Sequence, residues 1–329
     1  MKRCSPASNS PPRSPIFRSK RRNFRRRETE IDSSSEVSLS TASRESEKAE
    51  DSSSLASQTS RSPDDLKSVR LSRVSGLPAD RLLSVGCPLL DSGLLGGLRA
   101  GELTELVGES SSGKTQFSLQ TALEAAVRGE TVLYIVTEGN FPSVRLDQMV
   151  RARQVEEARE RILVKQARNL SHLLAVVGEE VRQVVEEQPG VSLVIVDSVA
   201  SLVRSEGELR TGLERVSVIH KLGQSLLQLT GRLGLAVLAV NQVTGRVGER
   251  GDVWGREQVA SLGHAWTQYP NTRLWLTKTS YVINSNALQG LMADTRLRTL
   301  NVDWSCRLPN TRHYFYVDNR GCHGIKIED

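Results

Sequence analysis

The sequence predicts an α/β fold, a mostly parallel sheet with helices on both faces that is extended by antiparallel strands toward its C-terminal end. Three observations predict it. The apolar run LTELV (103–107) leads into the loop GESSSGKT (108–115), and FSLQTALEAAV (117–127) follows with helical apolar spacing. From about residue 80, near-continuous apolar runs alternate with amphipathic stretches, the pattern of parallel strands buried on both faces and joined by helices. After residue 270 the apolar runs give way to polar–apolar alternation, which suits antiparallel strands.

In chain order, LTELV, VLYIVT (132–137), ILV (162–164), LVIVD (193–197) and LAVLAVNQ (235–242) read as buried strands. Helical spacing runs over 143–158, 170–187 and 211–232 between them. RLWLTK (273–278), RLRTLNV (296–302) and HYFYV (313–317) read as antiparallel strands extending the sheet. No internal repeat is evident, so a single core is expected over 76–329.

Residues 1–75 are of another kind. Residues 1–27 hold ten Lys/Arg and no acid, and serines fill 12 of positions 31–60. Such a stretch has too little apolar surface to offset its chain entropy, so a disordered tail is expected. The net charge of +6 comes from this tail. RSKRRNFRRR (18–27) reads as a nuclear-localisation signal, a nucleic-acid-contacting arm or a solvated charge run. Ser-Pro pairs at 5–6, 10–11, 14–15 and 62–63 are candidate sites for a proline-directed kinase. No apolar stretch reaches the ~20 residues of a membrane helix, and the basic start is followed by Ser and Pro rather than a secretory apolar run. Cys4, Cys87, Cys306 and Cys322 lie far apart without a C-x-x-C, which argues for a reducing compartment and against a zinc or disulfide framework.

GESSSGKT matches G-x-x-x-x-G-K-[ST] at every fixed position, a match expected by chance in about one chain in a hundred of this length. Many Gly/Ser-rich stretches are only surface turns, but strand, glycine loop and helix is the context a phosphate-cradling P-loop requires. Gly108 and Gly113 free the backbone, so that the N–H groups of Glu109, Ser110, Ser111 and Ser112 can point inward. The helix that opens at Lys114, Thr115 and Gln116 adds its positive end. Lys114 would reach the outer phosphates of ATP and Thr115 would bind Mg²⁺.

Ligands of such sheets bind at the carboxyl ends of the strands. Asp197 closes LVIVD, as a Mg²⁺-holding aspartate or a helix cap. Glu138 follows YIVT, as a water-activating carboxylate or a surface glutamate. Asn241 and Gln242 close AVNQ, as a γ-phosphate sensor or as partners for loop backbone. Two segments without clear periodicity follow these ends, RSEGELRTG (204–212) and TGRVGERGDVWGREQVASLG (244–263). The charges of each sum to zero, so DNA contact there is expected to be weak or shared with a partner.

As an ordered set, VGCPLLDSGLLGGLRAGELTELVGESSSGKTQ (85–116), YIVTEGNFPSVRLDQ (134–148), LVIVDSVASLVR (193–204), AVNQVT (239–244) and SLGHAWTQYPNTRLWLTK (261–278) resemble the RecA-type recombinase family, in particular its eukaryotic recombinase paralogues. The resemblance covers nearly everything after about residue 76 and implies a RecA-like P-loop NTPase core. It implies that Glu138 activates water, that Arg145 stacks on adenine and that Gln242 senses the γ-phosphate. It also implies that 204–212 and 244–263 face DNA.

The chain departs from the filament-forming members. Their small helical domain is replaced by the Ser-rich tail, no clear F-x-x-A motif precedes the core, and Trp304 stands where they have an aspartate that caps a neighbour's nucleotide. These features suit a nuclear recombination mediator with weak DNA-dependent ATPase activity. It would work in a heterodimer with another paralogue, assist the main recombinase and meet single-stranded or branched DNA weakly or through the complex. A scaffold subunit in which bound nucleotide only shapes an interface uses the same loop. A small-molecule kinase would need an arginine-rich lid, which is not obvious here.

Overall fold

A computed structural model describes residues 81–188, 190–205, 211–245, 258–283 and 295–327. The tail, including 18–27 and the Ser-Pro pairs, lies outside the described residues. The chain enters through β1 (Leu82–Leu83), which pairs antiparallel with β2 (Leu98–Arg99) around α1 (Pro88–Gly93). There follow β3 (Leu103–Gly108), α2 (Lys114–Val127), β4 (Thr131–Val136), α3 (Ser143–Arg153) and β5 (Ile162–Gln166). Next, α4 (Leu170–Ala175) continues through a π turn, Val176–Glu180, into α5 (Val181–Glu187). After β6 (Val191–Asp197) come α6 (Ser201–Ser205), α7 (Gly212–Leu233), β7 (Ala236–Asn241), β8 (Val243–Gly245), β9 (Gln258–Ala260) and α8 (Gly263–Thr267). The chain closes with β10 (Thr272–Ile283), β11 (Thr295–Ser305), β12 (Arg312–Val317) and β13 (Cys322–Ile325).

The main sheet has the order β13-β12-β11-β10-β3-β7-β6-β4-β5. From β10 to β5 all neighbours are parallel, and from β10 to β13 all are antiparallel. Alternate residues of each parallel strand feed two cores. Val132 and Tyr134 pack with Phe117, Leu123 and Met149 of α2 and α3. Leu133 and Ile135 pack with Leu222 and Leu226 of α7 and Trp266 of α8. The central strands β4, β6 and β7 are thus apolar at nearly every position, as a sheet covered on both faces demands, while the edge strand β5 is half exposed.

Two expectations need correction. RLWLTK, in β10, is not wholly antiparallel: it lies parallel to β3 from Thr272↔Thr104 to Leu276↔Gly108 and antiparallel only to β11. Its polar–apolar pattern misleads because Arg273 is itself buried. The helix expected over 143–158 stops at Arg153, where Gln154 turns left-handed (φ 58°) and a 3₁₀ turn, Glu156–Arg161, follows. That break lets Val155 pack on the α2–α3 core.

The long helix α7 starts at a capping box, in which Thr211 accepts from Glu214 N–H and the Glu214 carboxylate accepts from Thr211 N–H. It ends at Gly234 (φ 65°). Two of its glycines differ in what surrounds them. A Cβ on Gly223 would lie 2.4 Å from Tyr269 Cδ2, whereas one on Gly231 would meet nothing within 4 Å. Overpacking costs about 1–3 kcal/mol and outweighs the gain in helix propensity of up to about 1 kcal/mol. Gly223→Ala should therefore destabilise the chain by about 1 kcal/mol net, while Gly231→Ala should stabilise it slightly. Urea unfolding of the two variants checks the opposite signs.

Candidate functional site

Because β3, β4, β6 and β7 are parallel, their carboxyl ends open on one edge of the sheet. Gly108 ends β3 against β10, where a Cβ would lie 2.4 Å from Leu276 O and 2.6 Å from Ser112 Oγ, so only glycine fits. Ser111 (φ 62°) and Gly113 (φ 107°) are both left-handed and bend the loop back on itself, so that Ser112 N–H, expected to point inward, donates to Glu109 O at 3.2 Å. Glu109 ties it to β10, accepting from Lys278 N–H at 3.2 Å and facing Lys278 Nζ at 3.7 Å. Ser110 is exposed at the loop tip.

Lys114 Nζ donates to the carbonyls of Gly108 (2.7 Å) and Glu109 (2.8 Å). Burial pulls its ammonium below the usual lysine range, against the opposing charges of Asp197, Glu109 and Glu138. Ser112 Oγ is buried with no hydrogen-bond partner among the described residues. A cleft of about 380 Å³ opens over Ser111, Gly113, Lys114, Thr115 and Gln116, with Arg298 and Val317 as its far wall. An ammonium hydrogen-bonded to two neutral carbonyls, an orphan hydroxyl and a left-handed glycine loop fit a polyphosphate.

Thr115 Oγ1 donates to Asp197 Oδ2 at 3.2 Å, and Tyr134 OH donates to the same oxygen at 2.8 Å. Burial raises the Asp197 carboxyl above the usual carboxylate range, and the bonds from Tyr134 and Thr115 oppose the shift. A threonine hydroxyl beside a carboxylate is a hard-oxygen pair that fits Mg²⁺, which takes one or two protein ligands and completes its shell with phosphate and water. Among the described residues no cluster of three His, Cys, Asp or Glu side chains is disposed to hold a metal.

Glu138 and Gln242 meet across the edge, with Gln242 Nε2 donating to Glu138 Oε2 at 2.9 Å. Gln242 Oε1 accepts from Arg204 Nη1 at 2.9 Å, at the start of the 204–212 segment. The 244–263 segment is closed at its base, where β8 pairs with β9 and Ser261 N–H donates to Gln242 O at 2.8 Å. Residues 206–210 and 246–257 lie outside the described residues. Arg145, on α3, reaches the other flank of the loop. Its Nε donates to Gln116 Oε1 (2.6 Å), Nη2 to Asp318 O (2.5 Å) and Nη1 to Asn319 O (3.3 Å). Thus Asp197, Glu138 and Gln242 lie on the edge that carries the P-loop, whereas Asn241 is buried beneath it and donates to Glu105 Oε1 and Ser261 O, the loop-backbone alternative. Trp304 lies apart on β11, with the Arg273 guanidinium 5.3 Å from its ring centre.

Sequence reasoning missed a buried polar cluster beneath this edge. Glu105, fully buried in β3, accepts from Asn241 Nδ2 (2.6 Å), Trp266 Nε1 (2.9 Å) and Arg273 Nε (2.6 Å). Asn241 Oδ1 in turn accepts from Gln242 N–H at 2.8 Å. The signal was present, since LTELV sets a single carboxylate inside an apolar strand. Glu105→Ala would leave a buried guanidinium without its counter-charge, and equilibrium unfolding should show a loss of about 3–5 kcal/mol. A loss under about 1 kcal/mol would mean that the pair does not hold the edge together.

A family model described as Rad51 matches residues 81–283. DNA repair protein XRCC3 of Mus musculus is 32% identical over 268 residues, covering 74% of this chain and 75% of that protein. The XRCC3 homolog of Arabidopsis thaliana is 28% identical over 293 residues, covering 76% and 95%. The crystal structure of the RadB recombinase superposes with a TM-score of 0.59 at 28% identity, covering 74% of this chain and all of that one.

Proposed function

The chain belongs to the Rad51 family, and from that premise we propose that it is an ATP-binding recombination mediator of homologous-recombination DNA repair. One observation carries the reading. Lys114, the Thr115–Asp197 pair and the Glu138–Gln242 pair converge on one edge of the sheet, around a loop shaped for phosphate. In this reading Lys114 neutralises the outer phosphates and the loop N–H groups bind their oxygens. Thr115 and Asp197 hold Mg²⁺, which when bound supplies charge neutralisation on the phosphate chain. Glu138 takes a proton from the attacking water, and Gln242 reads the γ-phosphate. Arg145, fixed by four acceptors, presents its guanidinium plane to the adenine.

The likeness to XRCC3 proteins supports a nuclear role beside another recombinase paralogue and the main recombinase. DNA, single-stranded or branched, is met weakly or through that complex, in keeping with the zero net charge of 204–212 and 244–263. No helix among the described residues is long and apolar enough to cross a membrane.

The Glu138–Gln242 hydrogen bond also suits a second reading, in which the pair joins two strand ends and does not act on water. The chain is then a scaffold in which nucleotide shapes a protein interface without turnover. ATP binding and hydrolysis, with and without single-stranded DNA, test both. Lys114→Ala should lose ATP affinity by at least about a hundredfold, and unchanged affinity would sink the assignment of this loop. Glu138→Gln should bind ATP normally and lose hydrolysis. If repair survives in cells carrying it, the scaffold reading stands and the ATPase reading does not.

A further inference from the structure

The far wall of the P-loop cleft is a side chain that neither the motif nor the metal pair explains. Arg298 lies on β11, opposite Lys278 of β10 and Phe315 of β12. Its stem runs beside the P-loop, with Cδ 3.5 Å and Nε 3.7 Å from the position a Cβ on Gly113 would take. Nη1 donates to Arg296 O at 3.0 Å. Nε is buried and finds no hydrogen-bond partner among the described residues. Opposite in register, Lys278 already faces the Glu109 carboxylate.

Among the described residues the Arg298 guanidinium donates to one carbonyl and keeps a buried N–H without a partner beside the cleft, so it is short of an anion. Its place indicates which anion. Lys114 faces Asp197 and Glu138 on one side of the loop. Arg298 lines the same cleft with Val317, the residue that precedes the Asp318 and Asn319 carbonyls holding Arg145. If the base lies toward Arg145 and the outer phosphates toward Glu138, the inner phosphates pass Arg298.

We propose that Arg298 is a nucleotide-binding residue, a second side-chain cation of the cleft that contacts the sugar-proximal phosphates of ATP and ADP alike. The inference rests on the nucleotide-site reading given above. It separates the two cations by task, with Lys114 at the outer phosphates and Arg298 at those that both nucleotides retain.

Titration calorimetry of the full chain with ATP and with ADP tests it, alongside Arg298→Met, which keeps an apolar stem over Gly113 and removes the charge. Loss of a charge-assisted contact should raise both dissociation constants by about tenfold or more and by the same factor, with the nucleotide-free melting temperature unchanged. Unchanged affinity for both nucleotides overturns the inference and leaves the P-loop reading intact. A loss confined to ATP also overturns it, because it would put Arg298 at the outermost phosphate. If the unsubstituted chain binds neither nucleotide, the site reading itself fails, and this inference with it. Should the methionine variant not fold, Arg298→Gln carries the same measurement under the same criteria.

Discussion

A carboxylate with no access to water, placed in the middle of the sheet, is the constraint on which the functional edge depends. Glu105 is costly to bury as a charge unless a counter-charge and hydrogen bonds surround it. Arg273, Asn241 and Trp266 supply these from β10, β7 and α8. Both sheet neighbours of the P-loop strand are thereby tied to it by side chains as well as by backbone. Other arrangements of these strands would leave a charge unmatched, so the cluster specifies one register more strongly than apolar packing alone would.

The same cluster explains how a loop motif becomes a site. The motif supplies Lys114 and Thr115, but their partners lie tens of residues away on separate strands. Glu105 holds Asn241, Asn241 accepts from the Gln242 N–H, and Gln242 meets Glu138. Beside Thr115, Tyr134 plays the corresponding part, fixing the oxygen of Asp197 that Thr115 also uses. The polar side chains of the edge stand on short linkages to buried structure, which is the condition for holding a constellation to fractions of an ångström.

The sheet and most of the site were legible because they depend on local pattern. LVIVD and AVLAVN are apolar throughout since both faces are covered, and the strand–loop–helix context marked residues 108–116. The missed features depend on contacts remote in sequence. Whether β10 runs parallel or antiparallel to a neighbour cannot be read from RLWLTK, whose buried arginine imitates a solvated face. Arg298 looks like one of many surface arginines until Gly113 and Phe315 are brought beside it. The short pairs β1–β2 and β8–β9 are too brief to show a period, and the helix break at Gln154 arises from the pull of Val155 into the core.

The β8–β9 ladder has a consequence for whatever the 244–263 segment engages. Pairing from Val243↔Ala260 to Gly245↔Gln258, with Ser261 bonded to Gln242, brings both ends of the intervening chain together during folding. The entropy of closing that loop is therefore spent before any encounter. The β8–β9 ladder is thus a short stem, rooted in the same residue that faces Glu138.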